Sequence, residues 1–140
     1  MPQLRELGRA PASRAGAPGA VRVLTVDDQA MFREIAGDVI AATPGFEAVG
    51  EAASGEEALV AVDRLDPQLV LLDVRMPGID GIEVAGRLGR THPHTVVVLI
   101  SIDEMADLPP AGHLGAGVPF VRKQDFGPRL LRRLWAEYGT

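Results

Sequence analysis

The 140-residue chain contains no cysteine. Disulfides, thiol catalysis, thiolate metal sites and iron–sulfur clusters are therefore excluded, a composition that fits a reducing cytosol. Aromatic residues are scarce, at 4%, so stacking platforms for bases or flat cofactors have little to be built from. No apolar run reaches the length of a membrane span. Basic residues are outnumbered, 14 Lys and Arg against 19 Asp and Glu, and the net charge of −5 argues against a dedicated nucleic-acid binder. What remains is 46% hydrophobic and 24% charged, ordinary for one globular domain.

Residues 1–20 read differently from the rest. Eleven of the twenty are Ala, Pro or Gly, and Arg5, Arg9 and Arg14 against Glu6 leave a charge of +2. There is no apolar core of a signal peptide. The expectation is a flexible N-terminal extension before a domain spanning residues 21–138.

From Val21 the pattern alternates between short apolar runs and amphipathic stretches. Val21–Val26 reads as a buried strand ending at Asp27 and Asp28, with Asp28 as the N-cap of a helix whose apolar face is Phe32, Ile35, Ala36, Val39 and Ile40. Pro44-Gly45 breaks that helix. Phe46–Ala52 alternates less cleanly and reads as an edge strand. Ser54 and Glu57 form a capping box before Ala58, Leu59, Val62 and Leu65. After Pro67, Leu69–Leu72 is a fully apolar strand ending at Asp73. A loop, Met76-Pro77-Gly78, leads to a third helix opened by Asp80-Gly81. Thr95–Ile100 is the most hydrophobic strand and ends at Ser101. Between Ile102 and Gly117, Pro109-Pro110 and three glycines leave room only for a short or irregular fourth helix. Val118–Val121 is a fifth strand before Lys123. Phe126, Leu130, Leu131, Leu134, Trp135 and Tyr138 then give a last helix two adjoining apolar stripes. Five βα units of this kind imply an α/β fold, a doubly wound parallel sheet with helices on both faces.

Ligands of such sheets lie at the carboxyl ends of the strands. There stand Asp27, Asp28, Asp73, Ser101 and Lys123. Like charges 4 Å apart repel by roughly 4 kcal/mol at an effective dielectric of 20, so three carboxylates in one crevice call for a cation or a shared proton. The all-oxygen donor set suits Mg²⁺, not a soft metal. A carboxylate here can also attack phosphorus and form an aspartyl phosphate, with the cation, Lys123 and Ser101 compensating the charge on the equatorial oxygens. His92 and His94 flank Pro93 in a turn remote from that end and read as solvent-exposed.

Val23-Leu24-Thr25-Val26-Asp27-Asp28, the stretch Leu71-Leu72-Asp73-Val74-Arg75-Met76-Pro77-Gly78-Ile79-Asp80-Gly81, Ser101 and Lys123 together resemble the receiver domain of two-component response regulators, over roughly residues 21–138. The resemblance implies a flavodoxin-like sheet of order 2-1-3-4-5. It implies Asp73 as phosphoacceptor, and Asp27, Asp28, Asp73 and the backbone carbonyl of Arg75 as the Mg²⁺ ligands. Lys123 is then the phosphate-binding lysine, Ser101 the switch hydroxyl and Phe120 the switch aromatic. It further implies a cytoplasmic signalling module that is not an enzyme, although it assists its own phosphorylation and dephosphorylation. The donor is a histidine kinase or phosphotransfer protein. Only 17 residues follow Lys123, too few for a DNA-binding unit, so the expected output is an unknown downstream protein or a homodimer, without direct DNA or membrane contact. Two other readings compete. One is a receiver-like binding module independent of phosphorylation, against which the complete acidic set speaks. The other is an aspartate-nucleophile phosphatase of the haloacid-dehalogenase type, whose D-x-D-x-T run is replaced here by Asp27-Asp28-Gln29-Ala30-Met31.

Overall fold

A computed structural model describes residues 19–102 and 118–139. The flexible extension expected at the N-terminus and the short or irregular helix expected after Ser101 lie outside the described residues. Within them the chain runs β1 (Val21–Val26), α1 (Ala30–Ala41), β2 (Phe46–Ala52), α2 (Gly55–Leu65), β3 (Leu69–Asp73), α3 (Gly81–Thr91), β4 (Val96–Ser101), β5 (Phe120–Arg122) and α4 (Pro128–Tyr138). A single 3₁₀ turn, Lys123–Asp125, separates the last two.

All strands are parallel, in the order β2-β1-β3-β4-β5, as the alternation of apolar runs and amphipathic stretches predicts. Successive side chains point to opposite faces of a strand, and the sheet accordingly feeds two cores. Leu24, Val26, Val70, Leu72, Val97 and Leu99 face Ala58 and Val62 of α2 and Val84 and Leu88 of α3. Val23, Leu69, Leu71, Val98 and Ile100 face Phe32, Ala36 and Ile40 of α1 and Leu131 and Leu134 of α4. The chain leaves β1 towards one edge and returns to β3 on its other side. The crevice of this reversal therefore opens at the carboxyl ends of β1 and β3.

Local chemistry sets the helix ends. Ser54 Oγ accepts from the Glu57 amide, while Glu57 Oε1 accepts from the Ala53 amide. Asp80 Oδ1 accepts from the Glu83 amide. Asp66 closes α2 in the left-handed region, φ 47°. The Arg22 guanidinium donates to the carbonyls of Leu65 and Asp66, satisfying orphan acceptors of that helix end. The uneven alternation of β2 has a cause: Val23 pairs with Ala48 but Leu24 with Gly50, leaving Val49 as an extra, bulged residue. The N-cap of α1 differs from expectation. It is Gln29 without a side-chain cap, because the Asp27 carboxylate turns back to take the Gln29 amide at 2.8 Å and Asp28 stays outside, exposed.

Gly81 shows how tightly β3 and α3 meet. Its amide donates to the Val74 carbonyl at 2.9 Å, and a Cβ at this position would lie 2.1 Å from the Asp73 carbonyl oxygen. No real Cβ tolerates that approach. Gly81→Ala should therefore destabilise the fold by about 2 kcal/mol, read as a lower urea midpoint at unchanged m-value. An unchanged midpoint would show that α3 can retreat from β3 without cost.

Candidate functional site

Four of the five strands, all but β2, deliver a terminal polar residue to one end of the sheet. Asp27 follows β1 and is fully buried. Asp73 ends β3 at 5% exposure, and Ser101 ends β4 at 3%. Lys123 follows β5 in the 3₁₀ turn and reaches back across the mouth of the crevice. Neighbouring strands lie about 4.8 Å apart, so the adjacency of β1 and β3 alone forces their terminal carboxylates together.

Asp27 is held at nearly every polar atom. Its amide donates to the Ala52 carbonyl at 3.0 Å. Its carbonyl accepts from Arg33 Nη1 at 2.8 Å, and its Oδ1 accepts from the Gln29 amide at 2.8 Å. The remaining oxygen, Oδ2, lies 2.6 Å from Lys123 Nζ. This buried atom has the ammonium as its ionic partner and no hydrogen bond. Asp73 is more loosely tied. Its Oδ1 accepts a long bond, 3.4 Å, from the Arg75 amide, and its Oδ2 is 3.8 Å from Lys123 Nζ. The ammonium also sits 4.9 Å above the ring of Phe32, a cation–π contact. That ring in turn meets Phe126 at 6.3 Å between centroids.

Oxygen atoms of Asp27, Asp28 and Asp73 lie within 4.8 Å of one another. Against these three acids Lys123 supplies one positive charge. The imbalance shows at Asp73, whose carboxyl is pushed up to about 7 from 3.8. Burial is the main cause and the Asp27 carboxylate the next. Lys123 and the Arg75 amide oppose the rise, and Asp28 adds to it slightly. The arrangement can hold a divalent cation. Every donor is a hard oxygen, one buried acceptor atom lacks a hydrogen bond, and the exposed side at Asp28 leaves room for water or phosphoryl oxygens, as Mg²⁺ prefers.

The residues expected at the site are thus brought together: Asp27, Asp28, Asp73 and Lys123 by direct distances, and Ser101 by its place at the end of β4. Phe120 pairs with Leu99 in register, two residues before the Ser101–Arg122 pair, and packs half-buried against the α2–α3 core. By strand alternation Phe120 and Ser101 therefore lie on the same face of the sheet. Nothing in the residue pattern marks Phe32 or Arg33 as neighbours of the site. Both fall in the first turns of α1, where an aromatic reads as core and an arginine as solvated surface. His92 also departs from expectation: its Nε2 lies 3.0 Å from Asp63 Oδ1 and it is only partly exposed. His94 is exposed as expected.

The raised carboxyl has a pH consequence. Between 3.8 and about 7 the native state keeps a proton on Asp73 that the unfolded chain has lost. Asp73 thus favours the folded state most below its unfolded value, and that contribution disappears as pH rises through about 7. Asp73→Asn should match the wild type in thermal stability at acid pH and exceed it at alkaline pH in chelator. A difference that does not grow with pH would contradict the buried charge.

A model of the response regulator receiver domain matches residues 23–132. Response regulator GacA of Pseudomonas protegens is 42% identical over 89 residues, 64% of this chain and 42% of that protein. Protein-glutamate methylesterase/protein-glutamine glutaminase 4 of Geobacter metallireducens is 39% identical over 110 residues, 76% of this chain and 32% of that protein. The chain thus spans less than half the length of either relative. Among solved structures, the response regulator domain of Thermotoga maritima CheB superposes with a TM-score of 0.71 at 28% identity, covering 84% of this chain and 95% of that one. Family match and sheet topology agree, and the chain belongs to the response regulator receiver domains of two-component systems.

Proposed function

We propose that residues 21–138 form a phosphoacceptor module that takes a phosphoryl group from a histidine kinase or phosphotransfer protein onto Asp73, and that it signals through protein contacts in the cytoplasm. The observation that carries this reading is the position of Asp73: buried at the end of β3, beside two further acids, with Lys123 Nζ 3.8 Å away.

A carboxylate oxygen of Asp73 attacks phosphorus in line with the phosphohistidine nitrogen. The O–P bond forms, the P–N bond breaks and the imidazole leaves with a proton. Asp27, Asp28, Asp73 and the backbone carbonyl of Arg75 would hold Mg²⁺, which would supply positive charge to the equatorial oxygens. With the Asp73 carboxyl raised to about 7, a bound cation would also favour its ionised form. Lys123 exchanges its contact with Asp27 for the incoming phosphoryl oxygens, and the Ser101 hydroxyl donates to another. A phosphoryl group carries nearly two negative charges. The new contacts to Ser101 and Lys123 are the differential interactions that shift the equilibrium between two states. Inward movement of Ser101 vacates space for Phe120. The change then reaches the surface around β5 and α4, where a downstream protein or a second copy reads it. In this reading the domain acts on no substrate beyond its own phosphoryl group.

Incubation with a small phosphodonor and Mg²⁺ should give a phosphoryl adduct by intact mass. Asp73→Asn should abolish it, excess chelator should suppress it, and Asp28→Ala should chiefly raise the Mg²⁺ concentration required. An adduct that persists in the Asp73 variant would assign the chemistry elsewhere.

The switch has its own readout. Amide exchange with and without a beryllofluoride phosphate mimic should change across residues 118–123 and much less in α2. An unaltered β5 would separate phosphorylation from any role of Phe120.

A further inference from the structure

Arg33 lies in the first turn of α1 with a side chain only 19% exposed. Its guanidinium points two ways. Nε donates to Glu51 Oε1 at 2.9 Å, and Nη1 donates to the Asp27 carbonyl at 2.8 Å. Glu51 belongs to the edge strand β2 and pairs with Thr25 of β1, so the acid that orients the arginine comes from one strand and the carbonyl it holds from the next. A guanidinium presents its donors as a rigid planar fork. Two donors of one fork therefore fix the Asp27 carbonyl relative to β2.

That carbonyl is half of a planar peptide whose other half is the Asp28 amide. Its orientation governs where both acidic side chains leave the backbone. On the amino side of Asp27 the backbone is already fixed by the bond to the Ala52 carbonyl. Arg33 is the group that fixes the other side. With Oδ1 committed to the Gln29 amide, Oδ2 is the Asp27 oxygen left to face the crevice.

We propose that Arg33, oriented by Glu51, is a positioning residue that sets the peptide plane between Asp27 and Asp28 and thereby the geometry in which the acids receive a divalent cation. This rests on the Mg²⁺ reading above. The effect of position and the effect of charge have opposite signs. Arg33 is itself a cation near three acids, so through space alone its removal would tighten Mg²⁺ binding. If it acts by position, its removal weakens binding.

The experiment is a Mg²⁺ titration of the unphosphorylated protein, followed by the amide resonances of Asp28 and Gln29, with thermal stability measured in parallel. Arg33→Ala should weaken Mg²⁺ binding about tenfold, the range seen when partners of metal ligands are removed. Arg33→Lys, which keeps the charge but not the fork, should fall between it and wild type. Glu51→Ala should weaken binding less, and combining it with Arg33→Ala should add nothing further, because both act through one contact. An unchanged or tighter affinity in Arg33→Ala overturns the proposal, even if stability falls, while leaving the metal reading intact. A wild-type protein whose Asp28 and Gln29 amides do not respond to Mg²⁺ overturns the metal reading and this inference together.

Discussion

Two carboxylates with one ammonium between them form the constraint on which the site depends. Asp27 and Asp73 end adjacent strands, both buried, and Lys123 approaches them at 2.6 Å and 3.8 Å. The lysine sits closer to Asp27, and it is Asp73 whose carboxyl rises to about 7. At Asp73 the lysine opposes the rise that burial and the Asp27 carboxylate cause but does not cancel it.

The sheet generates this unequal sharing. β1 and β3 are neighbours because the chain reverses its winding between them, and strand spacing then fixes the distance between their ends. The close approach of Gly81 to the Asp73 carbonyl keeps α3 tight behind one acid. The bond from Asp27 to Ala52 and the Arg33 fork hold the other. Neither acid can retreat into water, so burial first and repulsion second are expressed as the proton affinity of Asp73.

Much of this was legible in the residues. Every strand but β2 is an apolar run with a polar residue at or just beyond its carboxyl end, and a parallel sheet aligns those ends, so Asp27, Asp73, Ser101 and Lys123 could be placed together from the residues alone. Contacts made across the grain of the chain were not legible. Arg33 touches Glu51, 18 residues later, and nothing in an amphipathic helix distinguishes an arginine turned inwards from one turned out. The cap of α1 escaped for a related reason. Asp28 is a good capping residue by type, but whether its side chain turns onto the helix end or stays outside depends on the direction of the crevice. His92 looked like a turn residue because its partner, Asp63, belongs to a helix two elements earlier.

The shortness of β5 has a mechanical consequence. It comprises three residues and pairs within the sheet with β4 alone, whereas β1 and β3 are each flanked on both sides. The negative charges are thus mounted on a frame and the positive charge on a tether. Local opening is easiest where few hydrogen bonds must break. Any force that reorganises the crevice will therefore displace the ammonium before it displaces the acids. The domain's electrostatic adjustment is built into its least secured strand, and whatever grips that strand from outside also grips the charge balance within.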